Sequence, residues 1–191
     1  MLAFWLRRLL LTALCAGLLS GCATGYLLDN RVEAFSSLPA LPGSASYRFE
    51  RLPSQQQPGQ ERLEALADPA LHRAGLRRDD AAPAFSVSVS ARIQRVLSPW
   101  ADPWADPWHG GWGGGFIAPF PRLQQAWYAR EVTVLVRELA GNRVVFESRA
   151  ASDGPWLDPQ TVLPAMFDAA LHGFPNPPAG PRRVDIRLGP G

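Results

Sequence analysis

Strict alternation of apolar and polar residues is clearest in AFSVSVSARIQRVL, residues 84–97. Phe85, Val87, Val89, Ala91 and Ile93 fall on one side, and Ser86, Ser88, Ser90, Arg92 and Gln94 on the other. A period of two puts these sets on opposite faces of a strand, one against a core and one wet or lightly covered. The same period marks Tyr47 and Phe49 in ASYRFERL, the run REVTVLVREL (130–139), RVVFES (143–148), and Val184, Ile186 and Leu188 in RRVDIRL. Residues 130–139 and 143–148 are joined by Ala140-Gly141-Asn142, which predicts a hairpin. Two other stretches carry a helical period. Leu63, Leu66, Ala67 and Ala70 share a face over residues 60–74, with Gly75 as the stop. Pro69 removes a donor inside that helix and predicts two short pieces, with Asp68 capping the second. In DPQTVLPAMFDAALHGF, Asp158 and Pro159 suit a cap and first position, Pro164 predicts a kink or later start, and Gly173 ends the run. Val162, Met166, Ala169 and Ala170 make its buried face.

These elements predict an α/β (α+β-like) fold: a single small domain over residues 46–191, with one mixed, mainly antiparallel sheet of four to five strands. Both helices pack on one face, because the opposite faces are serine-rich. Residues 22–45 are polar and proline-spotted and read as a tether, within which YLLDNRVEAF is a candidate edge strand. Residues 98–126 form a long irregular loop rich in Trp, Gly and Pro.

The N-terminus changes this picture most. Arg7 and Arg8 precede an apolar stretch from Leu9 to Leu19, 11 residues long. That is short of the about 20 residues a membrane-spanning helix needs and has the architecture of a signal peptide, here residues 1–21. Leu19-Ser20-Gly21-Cys22 resembles the lipobox of bacterial lipoproteins, which implies cleavage between Gly21 and Cys22 and a covalent lipid on Cys22. Ala23 stands where an aspartate would resemble an inner-membrane retention signal. The expectation is therefore a protein held in the outer membrane by its lipid, with the domain facing the periplasm.

Composition narrows the chemistry. The only cysteines are Cys15, which leaves with the signal, and Cys22. A lipidated mature chain then has no thiol for a disulfide, a thiolate nucleophile or a cysteine–metal site. All 19 basic residues are arginine, and without Arg7 and Arg8 the remaining 17 balance 17 acids. A neutral domain lacks the basic footprint of nucleic-acid binding. No nucleophile elbow, zinc-protease helix or phosphate loop is present, and GGWGGG (110–115) lacks the Lys, Ser or Thr that a phosphate loop uses. His72 and His172 fall near helix ends, where surface exposure is expected, and Asp79-Asp80 beside Arg77 and Arg78 read as a solvated charge run.

Within the long loop, SPWADPWADPWHGGWGGGF places Trp100, Trp104, Trp108 and Trp112 at every fourth position. Pro99, Pro103 and Pro107 recur at the same period and forbid a helix, so turns and extended pieces are expected. The indoles either fold back on the sheet or form an exposed binding surface for a protein, a glycan or a lipid headgroup. Asp102, Asp106 and His109 have types that suit a divalent ion, but ordering a Pro/Gly-rich chain costs much entropy. No metal and no cofactor is expected beyond the lipid on Cys22.

The lipobox, YRFERLP, LADPALHRAGLRRDD leading into FSVSVSARIQ, the Trp/Gly/Pro loop, YAREVTVLVREL and AALHGFP together resemble the bacterial lipoprotein family called domain of unknown function 4136. The resemblance spans most of residues 22–188 and rests on the order of the segments. It implies an envelope lipoprotein with an α/β domain and no established activity. The functional expectation is a non-enzymatic structural or interaction role in the cell envelope. The alternatives are a peptidoglycan- or lipopolysaccharide-binding module using the tryptophan loop, and an envelope hydrolase using acidic residues and His109.

Overall fold

The computed structural model describes residues 25–99 and 126–189. Along the chain run β1 (Leu27–Ser36), β2 (Ser46–Phe49), a 3-10 turn at Pro53–Gln55, α1 (Pro58–Arg73), β3 (Arg77–Arg78), β4 (Phe85–Val96), β5 (Trp127–Glu138), β6 (Arg143–Pro155), α2 (Pro159–Ala170) and β7 (Arg182–Arg187). The strands form one sheet in the order β3-β2-β4-β5-β6-β1-β7. β4, β5 and β6 are an antiparallel meander, and β1 lies antiparallel between β6 and β7. β2 runs parallel to both β3 and β4.

The mixed sheet with two helices agrees with the sequence, but it has seven strands rather than four to five. Both additions have a physical reason for being missed. β3 is two exposed arginines, with no hydropathy signal. In β1 the buried side alternates as Leu28, Asn30, Val32, and the polar Asn30 interrupts the apolar period. Its amide Nδ2 donates to the carbonyls of Leu28 and Val184, both at 3.1 Å, which satisfies the donor end of this fully buried side chain, while its Oδ1 has no hydrogen-bond partner among the described residues. The segment expected as tether with an edge strand thus supplies an interior strand, paired on both sides.

One face of the sheet carries the core. Val87, Val89, Val132, Val134, Val136, Phe146, Ala150 and Val32 are all buried there beneath α1 and α2. α2 packs on β1, β5, β6 and β7, α1 on β3 and β4, and the two helices meet each other. Because α2 touches both the sheet and α1, Leu163, Ala165 and Phe167 are buried in addition to the expected Val162, Met166, Ala169 and Ala170. α1 is one continuous helix, not two pieces. Pro69 lies on its exposed side, where Ala65, the residue whose carbonyl loses a donor, also meets solvent. α2 likewise runs through Pro164. Asp158 holds the N-cap position of α2 in extended backbone, with no side-chain cap bond. α1 ends as expected at Gly75, whose φ of +98° suits glycine; Leu76 N–H donates to Leu71 O and Gly75 N–H to His72 O. In the β5–β6 turn the left-handed residue is Asn142, φ +49°, rather than Gly141.

Candidate functional site

The face of the sheet away from the helices is polar and hollowed into a groove of about 690 Å³. It is built from the solvent-facing positions of five neighbouring strands. One row across the sheet reads Arg92, Glu131, Ala151, Arg31, Arg183, each directly opposite the next. The adjacent row toward the β4–β5 connection begins Gln94, Ala129, Asp153, with Asp29 opposite Asp185 on the β1–β7 side. Ala129 and Ala151 keep the centre low because their side chains stop at Cβ. The longer side chains of Arg31, Arg92, Arg149 and Arg183 stand around it with Asp29, Glu131 and Asp153.

The carboxylates are already engaged. Glu131 takes an ion pair from Arg149, Asp29 from Arg183 at 2.9 Å, and Asp153 accepts the indole N–H of Trp127 at 2.6 Å. Arg183 also donates to Asp185 at 2.8 Å, and these two acids hold its guanidinium more firmly protonated than usual. Arg92 reaches back to the amide of Gln94, turned to present its oxygen at 2.6 and 3.0 Å. Among the described residues neither Arg31 nor Arg92 forms an ion pair. Three strand spacings, about 14 Å, separate their strands.

Beneath this face lies a second polar group. Arg130 and Ser152 are buried on the helix side, with Asn30 on β1. Arg130 donates through Nη2 to the carbonyl of Pro155, while its Nε and Nη1 have no hydrogen-bond partner. Burial lowers the pKa of Arg130, opposed by nearby Tyr26, Asp153 and Tyr128. Gly154 makes room for this arrangement: a Cβ there would stand 2.8 Å from the Tyr26 hydroxyl and 3.5 Å from Arg130 Nη1. Arg182 is also depressed by burial, and its Nη2 donates to His172 O at 2.8 Å.

Every site residue singled out in the sequence lies outside the described residues: Gly21, Cys22, Trp100, Trp104, Trp108, Trp112, Asp102, Asp106 and His109. The strands that flank the long loop are nonetheless placed. β4 and β5 are direct antiparallel neighbours, with Val96 opposite Trp127, so residues 97–126 connect adjacent strands at one end of the sheet, beside Gln94 and Ala129 of the groove. His72 and His172 are exposed near the helix ends. Among the described residues no three potential metal-ligating side chains come together, and no helix is long and apolar enough to cross a membrane. The groove itself went unrecognised in the sequence. Its signal was the charge at alternate positions, Asp29-Arg31-Glu33 in β1 and Glu131 in β5, and only the strand order brings these residues into rows.

The chain belongs to the family described as Domain of unknown function (DUF4136), which matches residues 33–176. No curated protein matches it. Among solved structures it is similar to a PDZ domain protein from Parabacteroides distasonis, with 12% identity and a TM-score of 0.52. That match covers 86% of this chain and 40% of the other. The PelC dodecamer from Paraburkholderia phytofirmans has 12% identity and a TM-score of 0.48, over 74% of this chain and 94% of the other. At such identity the first of these likenesses is one of fold alone.

Proposed function

We propose that this DUF4136 member is an outer-membrane lipoprotein, anchored through Cys22, whose periplasmic domain binds a partner and catalyses no reaction. The lipobox-like Leu19-Ser20-Gly21-Cys22 supports the anchor. One observation carries the binding role: the three carboxylates in the groove are held by Arg149, Arg183 and the Trp127 indole. General acid–base work needs a carboxylate free to move a proton to substrate, whereas here two of the acids hold arginines and the third an indole N–H. Arg31 and Arg92 are left to meet a ligand's acceptors from opposite sides of a floor of alanines. A small-molecule pocket is lined mainly by apolar groups; this one is not, and it suits an extended polar ligand.

A glycan is the second reading. It is favoured by the attachment of the tryptophan loop at the groove's end, since indoles stack on sugar faces and arginines take their anionic groups. Labelling of cells with palmitate tests the anchor. Incorporation is expected in the wild type and lost in Cys22→Ala; incorporation that persists overturns it. Purified sacculi test the glycan: capture lost in Trp100→Ala/Trp104→Ala/Trp108→Ala supports it, and equal capture of wild type and variant removes the loop from that role.

A further inference from the structure

We infer that the sheet end at which the chain enters the domain is a membrane-docking face, seated on the headgroup layer of the bilayer that holds the Cys22 lipid. This rests on the anchored reading above. β1 begins at Leu27 and β7 ends opposite it, with Leu27 paired to Arg187. β4 ends and β5 begins at the same end, with Val96 opposite Trp127 and Trp127 opposite Pro155. Six large hydrophobic side chains are exposed among the described residues, and four of them gather here: Leu27, Val96, Leu97 (85% exposed) and Trp156 (56%). Of the other two, Phe35 is near the far end of β1 and Leu52 adjoins the 3-10 turn.

The patch is aromatic as well as aliphatic. Tyr128 meets Trp156 edge to face, with ring centroids 5.0 Å apart, and half-buried Trp127 and Tyr26 belong to the same sheet end. Exposed Arg95 and Arg187 stand at its rim, with Asp158 following Trp156. Indole and phenol rings with flanking arginines are the side chains that favour the headgroup layer, where apolar bodies and polar tips are both accommodated.

Chain length selects the lipid surface as occupant. Cys22 precedes Gly25 by three residues, which span at most about 11 Å when fully extended. A lipid-bearing Cys22 cannot carry this end of the sheet far from a headgroup layer itself about 5–8 Å deep. The opposite end, near Phe35, is held away by the length of the strands.

The test uses the full lipidated chain, purified and reconstituted in vesicles of phosphatidylethanolamine and phosphatidylglycerol. An environment-sensitive fluorophore is attached in turn at Leu97→Cys, Trp156→Cys and Phe35→Cys, all exposed positions. Brominated lipids are expected to quench most of the emission at 97 and 156 and little at 35. Equal quenching at the two ends in a chain whose mass shows the lipid overturns the docking face alone. Labels at 97 and 156 that are shielded from aqueous iodide yet unquenched by brominated lipid mean that another protein surface, a second copy included, covers this end, and they also overturn it. A chain whose mass shows no lipid on Cys22 overturns the anchored reading and the docking face with it.

Discussion

The two faces of the central strands are one residue apart in sequence and follow different rules. On the covered face of β5, Val132, Val134 and Val136 are inaccessible to solvent, and what matters is volume. On the open face Glu131 and Arg137 are ion-paired, to Arg149 and Glu50, and Thr133 sits between them; what matters there is which charge meets which. Apolar packing is therefore concentrated on one face and charge pairing on the other. The sharpest way to break this contrast is by truncation. Phe167→Ala empties a fully buried site on α2 and is expected to cost about 3–5 kcal/mol, whereas Ser90→Ala on the open side should change stability by no more than about 0.5 kcal/mol. Denaturant unfolding of both variants checks this; comparable losses would show that the open face carries the fold as well.

The covered face also holds polar groups, and these sharpen the comparison because burial raises their stakes. Ser148 Oγ donates to the carbonyl of Ala170 at 2.6 Å where neither meets water. Ser148→Ala strands that acceptor and is expected to cost about 1–3 kcal/mol in the same unfolding measurement. Tyr47, at the β2–α1 contact, donates its hydroxyl to Asp68. Burial, then the hydrogen bond and charge of Asp68, raise its pKa far above the ordinary value of 10.0. Its folded form keeps the proton when the unfolded chain has lost it. Stability is therefore full below pH 10 and falls above it, by at most about 1.4 kcal/mol per pH unit for one proton. Unfolding midpoints measured from pH 8 to 11 should show this slope, and Tyr47→Phe should flatten it whatever its effect on stability at neutral pH.

What could be read from the chain divides along the same line. The covered face was legible because its signal is local: Phe85, Val87 and Val89 announce a strand without reference to any neighbour, and Val162, Met166, Ala169 and Ala170 a helix face. β1 was half legible, since Asn30 occupies a core position and its amide N–H groups are taken up by Leu28 and Val184 carbonyls that the folded sheet brings together. Pro69 misled for a related reason: its local cost is real, but it lies on the exposed side of a helix that Ala67, Ala70 and Leu71 anchor. The groove was illegible because its meaning is non-local. Arg31 and Arg92 are 61 positions apart, and nothing in either strand says that three strand spacings separate them. The tryptophan loop was the most conspicuous feature of the sequence, and its flanking strands now attach it beside the groove and at the apolar end of the sheet.

The smallest expected effect on stability belongs to the pair of arginines on which the proposed role of the open face rests. Arg31→Ala/Arg92→Ala removes two exposed guanidinium groups that make no ion pair among the described residues, so the unfolding midpoint should shift by no more than about 0.5 kcal/mol in free-energy terms. Binding should respond differently. If the groove takes an anionic envelope partner, capture of that partner from cells by crosslinking at position 151 should fall in the double variant and fall further with added salt. Charge-conserving Arg31→Lys/Arg92→Lys should restore only part of it, because lysine offers a point charge without the guanidinium's fork of donors. A loss of capture with unchanged stability would separate function from fold on opposite sides of one sheet. A loss of both together would mean that these arginines hold the sheet, and the contrast between the faces would fail where it matters most.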